Sequence, residues 1–469
     1  IKLKSLDSNC FYNILSLVYG RVNVNMSSNI MILKRDKLNQ LIQWRTAEIR
    51  KPLIVRGARQ VGKTSLVREF AKSFSSFVEI NFEKQPQFSG IFKLDLDPKR
   101  ILSELSLATG KKIQPGETLL FFDEIQQSPE AYKSLRYFYE DLPQYHLIAA
   151  GSLLGFLIEK VSTGVGRVSY LDLYPLRFGE YLDAMGASLL RQKILNLDLD
   201  TPLLEIHHHK LLQLVKSYML IGGMPAVVSA FVEKQDYLIC QRIQDELIKS
   251  FSDDFVKYAK ISETPYLNKV FSSIPGQIGK KFIYSRVDRS IRSHHFSKSL
   301  NLLETAGIVY KVYQSKASGL PLQSQIKSSA FKVIFFDIGL LQRLMKINLE
   351  MWVSSDNIET AYKGAIAEQF VGQELATLTE ASKLNNLVYW HREERNSSAE
   401  VDYILDINRD VIPVEVKSNI QGGMKSMALF LKEKRKSLGI KISKYPFSYS
   451  KNIRTIPFYA IEKIFHHDF

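Results

Sequence analysis

PLIVRGARQVGKTSLVREFA, residues 52–71, joins an apolar run to a glycine-rich loop and then to a helix-forming segment. Leu53, Ile54 and Val55 are β-rich and apolar without alternation, as in a strand covered on both faces of a parallel sheet. Gly57, Gly62, Lys63 and Thr64 then satisfy the pattern G-x-x-x-x-G-K-[ST]. Glycines let successive backbone N–H groups turn toward phosphate oxygens, and the helix that follows adds its positive N-terminal end. A flexible surface turn would explain the glycines but not the strand before them and the helix after them. The loop Gly57, Ala58, Arg59, Gln60, Val61, Gly62, Lys63, Thr64, Ser65 is therefore the expected phosphate cradle. Lys63 is expected to reach the outer phosphates and the Thr64 hydroxyl to ligate Mg²⁺.

Such a loop needs a second acid at the end of a neighbouring strand. TLLFFDEIQQ supplies it: Leu119 to Phe122 are apolar, then come Asp123 and Glu124. Asp123 would hold the Mg²⁺, and Glu124 could polarise an attacking water. The cofactors expected from these residues are ATP and Mg²⁺. Further on, GRVSYLDLYPLRFGEYL (Gly166–Leu182) carries Arg167 and Arg177, either of which could stabilise transition-state charge in trans or in cis. Arg167 is the preferred candidate.

GARQVGKTSLVREFA, FFDEIQQSPEAYKSLRYFYED, IAAGSLLGF and LYPLRFGEYL, in that order, resemble the AAA-type ATPases of bacteria and archaea that carry a C-terminal domain of unknown function, number 4143. The similarity runs from about Leu33 to the end. It implies ATP binding and an α/β fold, without assigning a biological role. In such ATPases a polar residue at the tip of a neighbouring strand senses the terminal phosphate, and Ser152, after the run Tyr145–Gly151, fits. A plain Gly-Ser turn is the equal alternative.

With 469 residues the chain is long for one core. Its net charge of +15 favours an anionic partner and says nothing of fold. Cys10 and Cys240 lie far apart without metal-type spacing, which points to a reducing cytoplasm. No apolar run approaches the ~20 residues needed to span a bilayer, so no membrane partner is expected. Residues 1–30 read as an extension outside the chemistry, and CFYNILSLVYG (Cys10–Gly20) lacks the cleavage site of a signal peptide.

From Leu189 to Lys260 the pattern is helical, broken at Gly222, Gly223 and Pro225, and the resemblance implies a lid packed beside the ATPase. His207, His208 and His209 are consecutive, so they diverge on a helix and do not suit one metal ion. KKFIYSRVDRSIRSHHFSKSLNLLETAGIVYKVYQ (Lys280–Gln314) reads as short helix, turn, longer helix and strand, with Phe331–Gly339 as a closing strand. That is the order of a winged helix, and it resembles the family's middle domain. Lys280, Lys281, Arg286, Arg289, Arg292 and Lys298 stand against Asp288 alone between Lys280 and Ser299, with His294 and His295 beside them. Such clustering suits contacts to DNA phosphates, and it also suits a solvated face or a protein-docking module.

EVDYILDINRDVIPVEVKS (Glu400–Ser418) reads as a hairpin turning at Asn408-Arg409. That register sets Asp402 across from Glu415 and Glu400 across from Lys417, with Val401, Tyr403, Leu405, Ile412, Val414 and Val416 on the other face. Asp402 with Glu415-Val416-Lys417 resembles the D…(D/E)-x-K arrangement of restriction-endonuclease-like folds. The resemblance implies Mg²⁺ held by Asp402 and Glu415, water oriented by Lys417, and Glu368 added from a preceding helix. No proline precedes the aspartate, since Val401 stands there. The alternative is a salt-bridged face with no chemistry.

The expected architecture is α/β: an extension (1–30), a P-loop AAA-type ATPase domain (31–188), a helical connector (189–262), a winged helix (263–350) and a restriction-endonuclease-like domain (351–469). The expected function is an ATP-hydrolysing switch that moves a DNA-binding winged helix and a nuclease-like domain, the latter a candidate metal-dependent nuclease. The rivals are a nucleotide-dependent protein-interaction module and a DNA-binding regulator with an inactive nuclease-like scaffold. A homo-oligomer or an unidentified protein partner fits either.

Overall fold

Short strands that are apolar on both faces need cover on both faces, and parallel pairing with helical crossovers provides it. β1 (Leu53–Arg56), β2 (Ser76–Asn81), β3 (Thr118–Asp123), β4 (His146–Gly151) and β5 (Ser169–Asp172) form a sheet in the order β2-β3-β4-β1-β5. Every pairing in it is parallel. β3 and β4 are buried along their whole length. Phe122 on β3 meets Phe82, Phe92 and Phe138 edge-on at 5.5 to 6.3 Å, so one aromatic cluster fixes the sheet against the helix Pro129–Asp141. Because the strands run the same way, the segments after β1, β3 and β4 emerge at one edge. In this computed structural model the described residues are 33–152, 154–155, 166–198, 203–354, 363–379, 387–393, 399–418 and 423–465, all within the unit Leu33–Phe469. The expected extension 1–30, with Cys10, lies outside them.

The connector is helical over Ser188–Asn196, Glu205–Ile221, Pro225–Lys234 and Tyr237–Asp253. Within it, His208 turns inward to the Tyr459 hydroxyl at 2.9 Å while His209 faces Glu205. The basic segment differs from its expected course at the start. Lys280–Asp288 carries only a 3-10 turn, Tyr284–Arg286, and the helix that packs on Ser293–Thr305 is Thr264–Ser273. The longer helix ends as expected at Gly307, in the left-handed region with φ 72°.

β6 (Val309–Ser315) and β7 (Ile326–Phe335) form the antiparallel pair expected of a wing, yet β6 also pairs in parallel with β8 (Val388–His391) at Tyr313 and Gln314. The hairpin thereby joins β9 (Glu400–Ile407), β10 (Asp410–Lys417), β11 (Gly439–Ser443), β12 (Ser448–Ser450) and β13 (Ile453–Pro457) in one eight-stranded sheet, β12-β13-β11-β10-β9-β8-β6-β7. Asn408 and Arg409 take φ 52° and 63°, the left-handed pair of a tight hairpin, and β9 meets β10 in the expected register, Asp410↔Ile407 through Val414↔Tyr403. The face carrying the acids is not simply wet. Ile404 and Val411 lie in an apolar cluster with Met427, Phe430 and Leu431 of the helix Lys425–Lys434, while Tyr403 on the other face reaches the Glu368 carbonyl of the helix Lys363–Leu378.

The break at Gly222-Gly223 is held on two sides. Leu176 donates to the Gly223 carbonyl at 2.7 Å, and the buried Asp337 carboxylate accepts the Gly223 N–H at 2.7 Å. A Cβ on Gly223 would stand 2.0 Å from the Leu176 carbonyl oxygen, which is backbone and cannot rotate away. Gly223→Ala is expected to destabilise the chain by about 3 kcal/mol. A denaturant midpoint unchanged from wild type would contradict that.

Candidate functional site

The edge where β1, β3 and β4 end holds the phosphate loop and both acids. Gly57 and Gly62 have φ 148° and 95°, and Gln60 between them has φ 63°, so the loop is wound in conformations that glycine makes accessible. A Cβ on Gly57 would lie 2.0 Å from the Leu173 carbonyl oxygen. Lys63 opens the helix Lys63–Ala71 and is buried, with Nζ donating to the carbonyls of Gly57 at 3.0 Å and Ala58 at 2.9 Å. Burial lowers its pKa to about 8, against the opposing pull of Glu124 and Asp123.

Thr64 Oγ1 donates to Asp123 Oδ2 at 3.0 Å, and Asn81 Nδ2 donates to the same oxygen at 3.0 Å. Burial and neighbouring Glu124 raise the Asp123 pKa. Glu124 sits in the left-handed region, φ 50° and ψ 44°, an uncommon place for a glutamate. Its carboxylate accepts Gln126 Nε2 at 2.5 Å. Gln126 crowds the end of β4, where a Cβ on Gly151 would be 2.1 Å from its Oε1. Ser152 follows, half-buried, at the tip of the strand lying between those of the loop and the acids.

The two candidate arginines fall elsewhere. Arg167 precedes β5 and therefore stands at the opposite edge of the sheet, paired with Glu140 at 2.7 Å, so within one chain it does not reach the loop. Arg177 pairs with Asp36 and lies 3.8 Å from Glu462. It belongs to a buried ion network. There, Arg35 donates to the Val61 carbonyl of the loop at 2.8 Å and to Glu180 at 3.1 Å, and Arg191 joins Asp36 to Glu462 at 2.6 and 2.7 Å.

At the hairpin, Asp402 Oδ2 accepts the Val416 N–H at 2.8 Å and Lys417 Nζ donates to Glu415 Oε1 at 2.6 Å. Glu415 Oε2 is buried without a hydrogen-bond partner, and burial followed by Asp402 raises the Glu415 pKa to about 7. Lys332, on β7, was not among the sequence candidates, yet its buried Nζ stands 2.8 Å from Glu368, 2.5 Å from Glu400 and 3.9 Å from Asp402. Burial alone would lower the pKa of this ammonium, but the three carboxylates raise it, and Glu368 itself is pushed up to about 7, chiefly by burial. Among the described residues no group of three or more Asp, Glu, His or Cys side chains is arranged to hold a metal ion. Of the expected metal set, Glu368 and Asp402 thus meet at Lys332 together with Glu400, while Glu415 pairs with Lys417.

Lys280, Lys281, Arg286, Arg289 and Arg292 are exposed and make no ion pair among the described residues. Lys298 is exposed too but pairs with Glu263 at 2.5 Å. Asp288, the lone acid there, is taken by Lys269. No helix among the described residues is long and apolar enough to cross a membrane.

A phosphate loop facing an Asp-Glu pair, with a third strand between their two strands, defines a P-loop ATPase of the AAA type. Residues 49–182 match the family model of the AAA domain, and residues 363–461 match a domain of unknown function (DUF4143). The chain therefore carries an AAA domain with a DUF4143 domain C-terminal to it. Residues 212–350, covering part of the connector and the basic segment, match another domain of unknown function (DUF8612). No curated protein matches the chain. Among solved structures it is similar to the Walker-type ATPase PABY2304 of Pyrococcus abyssi, at 16% identity and a TM-score of 0.43, over 67% of this chain and 96% of that one. It is also similar to the Aeropyrum pernix Orc1 protein in complex with DNA (13% identity, TM-score 0.29, 68% of this chain and 95% of that one). Likeness this low carries no statement about substrate or partner.

A bound phosphate favours the charged Lys63, so ligand binding raises that group's pKa above its free value. Nucleotide affinity is expected to be flat below about pH 8 and to weaken above it, approaching tenfold per pH unit. ADP titrations across that range check this, and affinity that stays flat to pH 9.5 would contradict it.

Proposed function

We propose that the chain is an ATP-hydrolysing switch whose nucleotide state is relayed to the basic segment Lys280–Arg292, held between the helices Thr264–Ser273 and Ser293–Thr305, that contacts DNA phosphates, with the C-terminal unit serving as a scaffold that does not cleave. The observation that carries the first part is the 3.0 Å contact of Thr64 with Asp123 beside a buried Lys63. This donor set fits Mg²⁺–nucleotide: one hydroxyl and one carboxylate on the same spot for the ion, and one ammonium with no acid bonded to it for the phosphates. When bound, the ion neutralises charge on the phosphate oxygens. Lys63 would hold the outer phosphates, Asn81 keeps the Asp123 carboxylate turned toward Thr64, and Glu124 would orient and deprotonate the attacking water. Ser152 would face the terminal phosphate from the intervening strand.

The five exposed, unpaired cations from Lys280 to Arg292 support the contact to DNA. Lys332 supports the scaffold reading. An ammonium within 4 Å of three carboxylates supplies the charge that a divalent ion would otherwise bring, with no ligand exchange available for chemistry. The rival reading, a metal-dependent nuclease with Asp402, Glu415 and Lys417 at work and Glu368 assisting, draws on the unpartnered Glu415 oxygen.

Wild type is expected to hydrolyse ATP, and Lys63→Ala or Glu124→Gln to lose at least about a hundredfold of that rate. Full activity in both variants would contradict the assignment. DNA affinity is expected to fall steeply with salt, with the log–log slope reduced by about one for each of Arg286→Ala, Arg289→Ala and Arg292→Ala. A salt-independent affinity would remove the basic segment from the contact. Mg²⁺- or Mn²⁺-dependent DNA cleavage by wild type, lost in Asp402→Ala, would overturn the scaffold reading in favour of the nuclease.

A further inference from the structure

Arg59 stands inside the phosphate loop, between Gly57 and Gly62, and is the loop's one strongly charged residue besides Lys63. Its Nη1 lies 2.6 Å from Asp254 Oδ1 and 2.5 Å from Oδ2, with the arginine side chain about a third exposed and the aspartate nearly buried. Two further acids act on this guanidinium, Glu83 and the catalytic candidate Glu124, and Arg59 in turn makes Lys63 a weaker base. Arg59 is thus in electrostatic reach of both groups between which a terminal phosphate would sit. Arg167, the arginine favoured from sequence, is at the far edge of the sheet.

Asp254 has its own connections. It caps the helix Tyr237–Asp253, its N–H donating to Ser250 at 3.1 Å, and its carboxylate also takes Lys257 at 3.0 Å. The next residue, Phe255, is fully buried and meets Phe271 at 5.3 Å on the helix Thr264–Ser273, the first of the two that flank the basic segment. The second helix of that pair ends beside the loop as well: a Cβ on Gly307 would lie 3.5 Å from the Ala58 nitrogen. Two consecutive loop residues, Ala58 and Arg59, therefore touch the end of the helix Ser293–Thr305 and the end of the helix Tyr237–Asp253.

We propose that Arg59 reads the terminal phosphate in cis, exchanging Asp254 for that phosphate when a nucleoside triphosphate binds and so releasing the capped end of Tyr237–Asp253 that supports the helices flanking the basic segment. This rests on the P-loop ATPase reading. A triphosphate offers the guanidinium a more highly charged acceptor than one carboxylate does, and a diphosphate lacks the group that competes. Discrimination between the two nucleotides is therefore expected to pass through the Arg59–Asp254 pair.

The test is equilibrium binding of ADP and of a non-hydrolysable ATP analogue, each with Mg²⁺, to the full chain as wild type, Arg59→Gln, Asp254→Asn and the double variant. Arg59→Gln is expected to weaken the analogue about tenfold while leaving ADP within twofold. Asp254→Asn, which removes the competitor, is expected to tighten the analogue severalfold and ADP hardly at all. On the Arg59→Gln background Asp254→Asn should then change neither. ADP affinity near the wild-type value serves as the folding control. If both single variants shift ADP and the analogue by the same factor, or neither shifts the analogue, the pair is structural and the proposal falls while the ATPase reading stands. If wild type binds neither nucleotide, both fall.

Discussion

Thr64 lies in the segment after β1 and Asp123 ends β3, strands that are not neighbours, and a single hydrogen bond of 3.0 Å brings them together across the end of β4. The sheet makes that contact possible by running all its strands one way, so three strand ends share an edge. Burial then sets the chemistry. Inside that edge the Lys63 ammonium is destabilised and the Asp123 carboxylate is raised, so both groups gain from a bound partner of opposite charge. Without the parallel order, neither residue would meet the other and the glycine-rich loop would be a turn like any other.

The loop is also where the rest of the chain converges. Arg35 grips the Val61 carbonyl, Gly307 abuts Ala58, Arg59 holds Asp254, and the side chain of Pro225 comes within 3.7 Å of a Cβ placed on Gly62. From Arg35 the buried ion network passes through Glu180 and Asp36 to Arg191 and Glu462, and the Glu374 carboxylate accepts the Phe178 N–H at 3.1 Å. Removing one partner from such a buried set typically costs about 3–5 kcal/mol, because the other charge is left without compensation. The network is therefore a rigid tie between the ATPase sheet and the helix Lys363–Leu378 of the C-terminal unit. The Arg59–Asp254 pair is more exposed and more easily exchanged.

What the sequence disclosed was local. The phosphate loop is legible because its glycines, lysine and threonine are consecutive, and Asp123-Glu124 because an apolar strand delivers them. The hairpin register was legible from Asn408-Arg409, since side chains alternate with a period of two and the turn fixes the origin. Lys332 was not legible: it comes from β7, and its carboxylate partners lie at least 36 residues on, brought near only by the joining of β6 to β8. Arg167 stands away from the loop of its own chain because charge and proximity in sequence say nothing about which edge of a sheet a residue occupies. The first helix beside the basic segment lies upstream of its expected place for a related reason. Lys280–Asp288 carries the charges, but helix-forming apolar spacing belongs to Thr264–Ser273, where Leu267, Val270 and Phe271 are buried.

Communication between the phosphate loop and the basic segment Lys280–Arg292 is tested most directly by measuring DNA affinity of the full chain at one fixed salt concentration, with ADP and with a non-hydrolysable ATP analogue in turn. Affinities that differ severalfold between the two nucleotides, with the difference abolished in Lys63→Ala, are the predicted result. Equal affinities with both nucleotides, each bound to saturation, would contradict it.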